Sequence, residues 1–513
     1  MKQLDLEVCY RALQARDPRF DGRLFVAVTS TGIYCRPICP ARTPRRENCR
    51  FFPTSAAAQA AGFRACLRCR PEISPELACW RGTSTTVSRA LALIAEGFLD
   101  REDGAVEALA TRVGMGERQL RRLFAHHLGA SPVAVAQTRR VLFAKQLIHD
   151  TRLSMAEVAM ASGFGSLRRF NEAFRTLYHR PPRELRRRKL RSAPDSPATA
   201  PIMFHMSYRP PYDWEAMLAY LSARAIDGME IVEHGIYRRI VSHEGEHGMV
   251  AVAHAPDRNA LIATIRVPCV RALHAMVTRV RHLFDVGADV GTIASHLAMD
   301  KTLAPLIAAR PGLRTPGCWD GFELAVRAVL GQQITVEAAR QLGSKLVHLC
   351  GDPVRHAANP RLARTFPSAR CLATADLSTI GMPASRKVTL KALAQAAVAN
   401  PRLFEPGSAS SPGSIGSISS IEEHIAQLRA IRGIGEWTAQ YIALRALREP
   451  DAFPATDIGI LQGAANLDGV LLTAPQLIQR AEAWRPWRAY AAQYLWTVDS
   501  STLQSPTGAF HAD

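Results

Sequence analysis

Apolar residues recur at helical spacing over much of the chain and alternate with polar ones over a stretch near its middle. Residues 84–96 read as an amphipathic helix, with Thr85 or Ser88 available as caps. Two similar units follow: AVEALATRVGMGERQLRRLF (105–124) and MAEVAMASGFGSLRRFNEAFR (155–175). Each runs from an apolar helix through a glycine (Gly114, Gly163) into a helix studded with arginine. In the first, Leu120, Leu123 and Phe124 form the inward stripe and leave Glu117, Arg118, Arg121 and Arg122 outward. In the second, Phe170 and Phe174 pack and leave Arg168, Arg169, Asn171 and Arg175 outward. This is helix-turn-helix grammar, in which one helix braces while the next enters the major groove. A small bundle with a solvated basic face is the plainer reading. The duplication, with Pro132 and Pro181–Pro182 at corresponding ends, argues against it.

Farther on, short β-like runs at 235–242, 249–253 and 260–267 precede a helix over 271–284. That pattern predicts an α+β unit with an antiparallel sheet. Helical periodicity resumes in FELAVRAVLGQQITVEAARQL (322–342), interrupted at Gly331, and in LRAIRGIGEWTAQYIALR (428–445). Gly433 and Gly435 lie between two helical segments, where glycine permits positive φ and lets backbone N–H groups approach a phosphate. Asp457 follows about 20 residues later in AFPATDIG (452–459). Its plainer reading is a helix cap before Ile458, and Trp437, Tyr441 and Trp496 read equally well as packing residues.

The predicted fold class is therefore multidomain α+β. Its parts are a small cysteine-bearing domain (1–78), an all-α double helix-turn-helix domain (84–191), a Pro/Ala/Ser linker (192–202), an α+β antiparallel-sheet domain (203–315), an all-α helix-hairpin-helix domain (316–500) and a tail (501–513). Residues 406–420, rich in Pro, Gly and Ser, read as a surface loop.

Length and charge refine this picture. A chain of 513 residues suggests three or four domains at roughly 100–200 residues each. Hydrophobic content is 47%, ample for cores. No apolar run approaches the roughly 18 residues of a spanning helix, and the start MKQLDLE lacks an apolar signal core, so no membrane partner and a cytoplasmic location are expected. The net charge of +19 is uneven. Residues 1–200 hold 34 Lys and Arg against 18 Asp and Glu, and the remainder holds 30 against 27. That asymmetry points to nucleic acid as the partner of the first part.

The cysteines carry the most specific chemistry. Cys35 and Cys39 are separated by three residues, Cys66 and Cys69 by two, and 26 residues (40–65) stand between the pairs. Two such turns build a tetrahedral sulfur cage for one Zn²⁺. Disulfides would need an oxidising compartment that nothing here indicates. Arg36, Arg42, Arg45, Arg46, Arg50, Arg64, Arg68 and Arg70 crowd the cage and are expected to form a phosphate-attracting rim. A zinc-held thiolate stays deprotonated and can act as a nucleophile, so the cage reads as a structural knuckle or as a reactive thiolate. The other cysteines show no paired spacing.

TSTGIYCRPICPAR followed by AAGFRACLRCRPE resembles the methyl-phosphotriester domain of Ada adaptive-response proteins. The resemblance implies that Cys35 accepts a methyl group from DNA, that Cys35, Cys39, Cys66 and Cys69 hold zinc, and that Thr31, Arg42 and Arg64 grip the DNA backbone. The two helical units resemble the AraC-type domain that lies next in such proteins, which implies promoter DNA and RNA polymerase as partners. The Ada resemblance ends near residue 190: no P-C-H-R segment follows, and VPCVR (267–271) lacks the histidine.

Residues 205–499 instead resemble AlkA-type 3-methyladenine DNA glycosylases, through PPYDW, ARPGLRTPGC, VRAVLGQ, GIGEWTAQYIALR and WRPWRAYA. This implies that Asp457 is the catalytic carboxylate and that Tyr220, Trp437, Tyr441 and Trp496 line a base pocket. Gln333 falls at the DNA wedge, with Ile334 as a sharer of that role. Gly433 and Gly435 hold backbone phosphates, with a monovalent cation at the hairpin. Arg432 stands where a proline often precedes the hairpin glycines. Trp437 occupies the place of the Schiff-base lysine of bifunctional relatives, so glycosidic hydrolysis without a lyase step is expected. The combined expectation is a monomeric methyl-damage sensor, activator and alkylbase glycosylase acting on double-stranded and alkylated DNA. The rivals are a pure regulator whose C-terminal half only binds DNA, and a repair enzyme without gene control.

Overall fold

A computed structural model of the chain describes residues 5–74, 85–100, 104–186, 201–243, 245–267, 269–354, 359–405 and 421–498. Residues 187–191, most of the expected linker, the 406–420 segment and the tail lie outside the described residues.

The first body is a small sheet of β1 (Phe25–Val28), β2 (Ile33–Cys35), β3 (Cys49–Phe52) and β4 (Arg64–Ala65), in spatial order β3-β1-β2-β4. β1 pairs antiparallel with β2 and β3, and β2 runs parallel to β4. This pairing brings the two cysteine turns, one after β2 and one after β4, to the same end of the sheet.

The helix-turn-helix units are Val106–Arg112 with Glu117–Leu128, and Met155–Ala161 with Leu167–Tyr178. Gly114 (φ +75°) and Gly163 (φ +78°) make the turns. A Cβ on Gly163 would lie 2.4 Å from Oδ2 of Asp100, so this position needs glycine for space as well as for φ. The helix Pro132–Asp150 joins the units, started by Ser131, whose side chain accepts from Ala134 N–H.

The second sheet has β5 (Ile202–Ser207), β6 (Glu230–Glu233), β7 (Ile236–His243), β8 (Glu246–Ala255) and β9 (Ala260–Arg266), ordered β5-β9-β8-β7-β6 and antiparallel throughout. The sequence pattern anticipates β7, β8 and β9 and misses β5 and β6. The helices from Val290–Leu297 to Arg488–Leu495 pack into a bundle around Val326, Val329, Leu346, Leu390, Leu428 and Ile442.

One apolar core runs through both parts of the chain. Val141, Phe143, Leu147 and Ile148 of the Pro132–Asp150 helix cluster with Phe204, Met206, Leu261 and Ile265 of the second sheet. Phe143 and Phe204 stack with ring centroids 5.8 Å apart. Among the described residues, no helix is long and apolar enough to cross a membrane.

Candidate functional site

The four sulfurs of Cys35, Cys39, Cys66 and Cys69 lie within 4.8 Å of one another. A tetrahedral four-thiolate zinc site with Zn–S of about 2.3 Å needs sulfur separations of about 3.8 Å, so the cage is the right size. Two backbone N–H groups point at sulfur, Arg36 at Cys69 Sγ and Arg68 at Cys66 Sγ, each at 3.3 Å. Such donors suit thiolates. Cys39, Cys66 and Cys69 are buried, whereas Cys35 is only half-buried and is the accessible member.

The expected arginine rim is only partly a rim. Arg36 is buried and its guanidinium forks onto Asp21, with Nε 2.8 Å from Oδ1. Arg70 is buried as well, bonded to Glu72 at 3.0 Å and to both carboxylate oxygens of Asp150 at 2.8 and 2.6 Å. Buried charges persist where they are paired, and these two arginines are structural pairs rather than phosphate ligands. Thr31, Arg42, Arg45, Arg46, Arg50 and Arg68 are exposed, and Arg64 is half-buried. Thr31 sits in the β1–β2 turn with its hydroxyl donating to the Val28 carbonyl at 3.3 Å.

In the helical units Leu120 and Phe124, and Phe170 and Phe174, are buried as the pattern requires, and Arg118, Arg121, Arg122, Arg168, Arg169 and Arg175 are exposed. Arg121 bonds Glu117 one turn earlier at 2.8 Å.

The larger site is a cleft of about 1640 Å³ between the second sheet's helix Trp214–Arg224 and the helical bundle. It gathers Tyr220, Gln333, Gly433, Gly435, Trp437, Tyr441, Asp457 and Trp496. Asp457 caps the helix Ile458–Asp468, its Oδ1 accepting from Ile460 N–H at 3.1 Å. It also receives two indole N–H bonds: Trp496 Nε1 to Oδ1 at 2.8 Å and Trp437 Nε1 to Oδ2 at 2.6 Å. A carboxylate offers about four lone-pair positions. Three are taken, and among the described residues no donor takes the one left on Oδ2. Asp457 thus both caps its helix and lines the cleft.

Trp437 and Tyr441 stack at 5.3 Å with planes 16° apart, and Tyr441 meets Trp496 edge-on at 6.3 Å. The hydroxyls of Tyr220 and Tyr441 are 3.1 Å apart. The sequence reading missed what lies against these rings. The buried guanidinium of Arg445 is 4.6 Å from the Tyr220 ring centroid and 5.1 Å from those of Tyr441 and Trp496. It is held by the Pro316 carbonyl at 2.7 Å and by Gln493 Oε1 at 3.2 Å. Burial raises the Tyr441 hydroxyl's pKa, and the Arg445 and Arg224 cations more than offset this, leaving it below its usual value. Three rings that already face one permanent cation attract a second less than bare rings would.

The hairpin joins Ile421–Arg429 to Glu436–Arg445. Gly433 has φ +85°, and a Cβ there would lie 1.9 Å from Thr389 Oγ1, so no other residue fits. Gly435 caps the second helix with open space around its Cα. The break expected at Gly331 extends to Thr335, and inside it Gln333 is exposed with φ +57°. Ile334 is half-buried and packs on the bundle core, so Gln333 is the more exposed of the two.

Comparison with known proteins places three family models on the chain: the metal binding domain of Ada over residues 8–72, a helix-turn-helix domain over 109–188 and the AlkA N-terminal domain over 203–320. The chain is 40% identical over 505 residues to the probable bifunctional transcriptional activator/DNA repair enzyme AlkA of Mycobacterium tuberculosis, an alignment covering 98% of this chain and 97% of that one. It is 33% identical over 301 residues to DNA-3-methyladenine glycosylase 2 of Escherichia coli, covering 58% of this chain and 98% of that one. Against the bifunctional transcriptional activator/DNA repair enzyme Ada of the same organism, identity is 39% over 132 residues, or 26% of this chain and 35% of that one.

Proposed function

The chain belongs to the family of bifunctional transcriptional activator/DNA repair enzymes, and from that premise we propose that it senses methylated DNA phosphate through Cys35 and excises N-alkylated purines through Asp457. In the first activity the Cys35 sulfur attacks the methyl carbon of a phosphotriester. The S–C bond forms as the C–O bond breaks, and the phosphate leaves as a diester anion. Zinc, when bound by the four cysteines, keeps the Cys35 sulfur deprotonated at neutral pH. The exposed arginines and Thr31 are suited to hold the backbone phosphates on either side. The two helix-turn-helix units then carry the protein to promoter DNA, where it recruits RNA polymerase.

In the second activity the base leaves the helix and enters the cleft, and Gln333 fills the gap. N-alkylation puts positive charge on the base, so the C1′–N bond breaks with its electron pair going to the leaving base. The sugar gains oxocarbenium character, which the Asp457 carboxylate stabilises. Its open lone pair on Oδ2 accepts a proton from the water whose oxygen adds to C1′. Because Arg445 already occupies the neighbourhood of the rings, the weak bond of an alkylated base, rather than cation attraction, carries most of the selectivity. Gly433 and Gly435 clamp the phosphate backbone. A monovalent cation at the hairpin belongs to the same proposal, held by loop carbonyls, of which that of Gly433 accepts from Gln332 at 3.1 Å.

The observation that carries this reading is the Asp457 carboxylate fixed by two indole donors at the mouth of the cleft. The test is release of free 3-methyladenine from methylated duplex DNA by the wild-type chain and by Asp457→Asn. Release by the first and not the second is expected. Equal release refutes the assignment.

A further inference from the structure

A line of buried charged groups runs from the cysteine cage into the helical bundle. It begins at Arg36, the residue after Cys35. The Arg36 N–H donates to Cys69 Sγ, and its guanidinium donates to the Cys69 carbonyl at 3.2 Å while forking onto Asp21. The Asp21 carbonyl accepts from Arg209 Nε at 3.2 Å, across 188 residues of sequence. Arg209 also donates to the Gly287 carbonyl at 3.3 Å, and its own carbonyl accepts from Arg314 at 2.7 Å. Arg314 lies over the Tyr212 ring at 4.4 Å and donates to the Asp285 carbonyl at 2.7 Å. The Asp285 carboxylate receives Arg448 and the Tyr490 hydroxyl, the latter at 2.9 Å. Alongside, Arg23 bonds Thr292 Oγ1 at 2.8 Å and pairs with Asp289.

Both ends of this line matter. Arg448 follows the helix Glu436–Arg445 that presents Trp437 and Tyr441. Tyr490 lies on the helix Arg488–Leu495, which is capped by Trp496. Both indoles that hold Asp457 therefore sit on elements anchored to Asp285. Asp21, Arg36, Arg209, Arg314 and Asp285 are each at most 5% exposed. Away from water each broken link leaves a buried polar or charged group one partner short, so moving one member carries a cost for its neighbours.

We propose that the Asp21–Arg36 edge of the cage domain is a docking surface for the chain's own glycosylase half, and that through it the state of the cage sets the rigidity of the two helices that position Asp457. The proposal rests on the zinc reading of the cage. Loss of zinc frees the 35–39 turn, loosens Arg36 from Cys69 and Asp21, and removes the brace on Arg209. With the brace in place, sensor and glycosylase open as one cooperative unit instead of two independent domains.

Hydrogen exchange on the full-length chain tests this. Metal content is measured in parallel, with zinc bound and after its removal by a thiol-directed reagent and chelator. Amides of Glu436–Arg445 and Arg488–Leu495 are expected to exchange at least about tenfold faster after removal, while those of Ala384–Ala399 change little. The zinc-loaded Arg209→Met variant should show the faster exchange by itself, and stripping it should add nothing further. The milder Arg23→Gln variant, which breaks only the parallel pair with Asp289, should give an intermediate effect if Arg209→Met fails to fold. Unchanged exchange in the two helices on zinc removal overturns the proposal, as does uniform acceleration of all helices. A protein isolated without zinc whose Arg209→Met variant still loosens the two helices would overturn the zinc reading and leave the docking surface standing.

Discussion

Lys145 donates to the carbonyl oxygen of Cys66 at 2.9 Å and to Glu72 Oε2 at 2.5 Å, with both side chains fully buried. The long helix that fixes the spacing of the two helix-turn-helix units is thereby bonded to a turn of the cage. Burial works against ionising Glu72, and Lys145 and Arg70 more than offset it, so its pKa lies below the usual carboxylate value. Lys145→Met leaves a buried carboxylate one partner short. It should cost about 3–5 kcal/mol in urea unfolding of the full chain. Lys145→Met/Glu72→Gln should recover part of that loss, since the double change removes the orphaned charge.

The two indole bonds to Asp457 predict a graded loss of excision. Trp437→Phe and Trp496→Phe each keep an aromatic ring and delete one donor. A hydrogen bond to a charged group is worth about 1.5–3 kcal/mol, so each change should slow single-turnover release of 3-methyladenine by roughly 10- to 150-fold. Binding to undamaged duplex should stay the same. Borohydride should trap no covalent DNA adduct with any of these proteins, because no lysine stands at the Trp437 position. An adduct would show a lyase step that the site does not provide for.

Much of the architecture was legible because local patterns carry it. The cage could be read from spacing, the helix-turn-helix units from repeated apolar stripes, and β7 to β9 from alternation. β6 was not, since its Glu230 looks like a solvent residue. It is buried because Arg327 bonds it at 2.6 Å and Tyr237 at 2.7 Å, partners 97 and 7 residues away. Lys145 escaped notice and Arg36 was assigned to the rim for the same reason: a cation's partner is a tertiary fact when it lies far off in sequence. Asp457 could be placed from its motif, but the use of the tryptophans' N–H groups, as opposed to their ring faces, needed the fold. Arg445 was not singled out by the sequence, and only the fold brings its guanidinium against the rings of Tyr220, Tyr441 and Trp496.

Gln333 offers a test that separates shape from chemistry. Its φ of +57° suits Asn or Gly and strains a β-branched residue. Gln333→Gly keeps the turn and removes the wedge. It should reduce excision from duplex DNA about tenfold or more while leaving excision from single strands nearly unchanged, because only the duplex must be held open. Gln333→Val should lower stability in addition. Equal losses on both substrates would show that Gln333 does not act as the wedge.

Acid should loosen the protein before its carboxylates titrate. Burial, then Arg139 and Arg281, push His274 down to about 3, and burial, then Arg448 and Arg279, push His282 to about 3. An unfolded histidine titrates near 6.5. Between these values the unfolded chain binds protons that the folded one does not, so stability is full above about pH 7 and falls as pH drops through 6.5. Each histidine contributes at most about 1.4 kcal/mol per pH unit in that window. Urea midpoints should decline from pH 7 to 5, and His274→Gln should flatten the decline. A flat profile for the wild type would mean that both histidines take up protons in the folded state.

The cage also makes a quantitative prediction about promoter binding. Four thiolates on Zn²⁺ carry a formal charge of about −2, and methyl transfer to Cys35 leaves about −1. Cys35 is the half-buried member, with exposed Arg42 and Arg68 on the same small domain. A charge lost here is therefore felt at the DNA surface. One unit charge at ~4 Å from a phosphate is worth about 1 kcal/mol even in water-like dielectric. Phosphates within a Debye length of roughly 8–10 Å add to this. Affinity of the full chain for its promoter should rise about tenfold or more after treatment with methylated DNA, and the gain should shrink as salt rises. Cys35→Ser should abolish the gain without changing binding of the untreated protein to nonspecific DNA by a comparable factor. If methylated and unmethylated chains bind the promoter equally at physiological salt, the charge argument fails, and the cage serves phosphate repair alone.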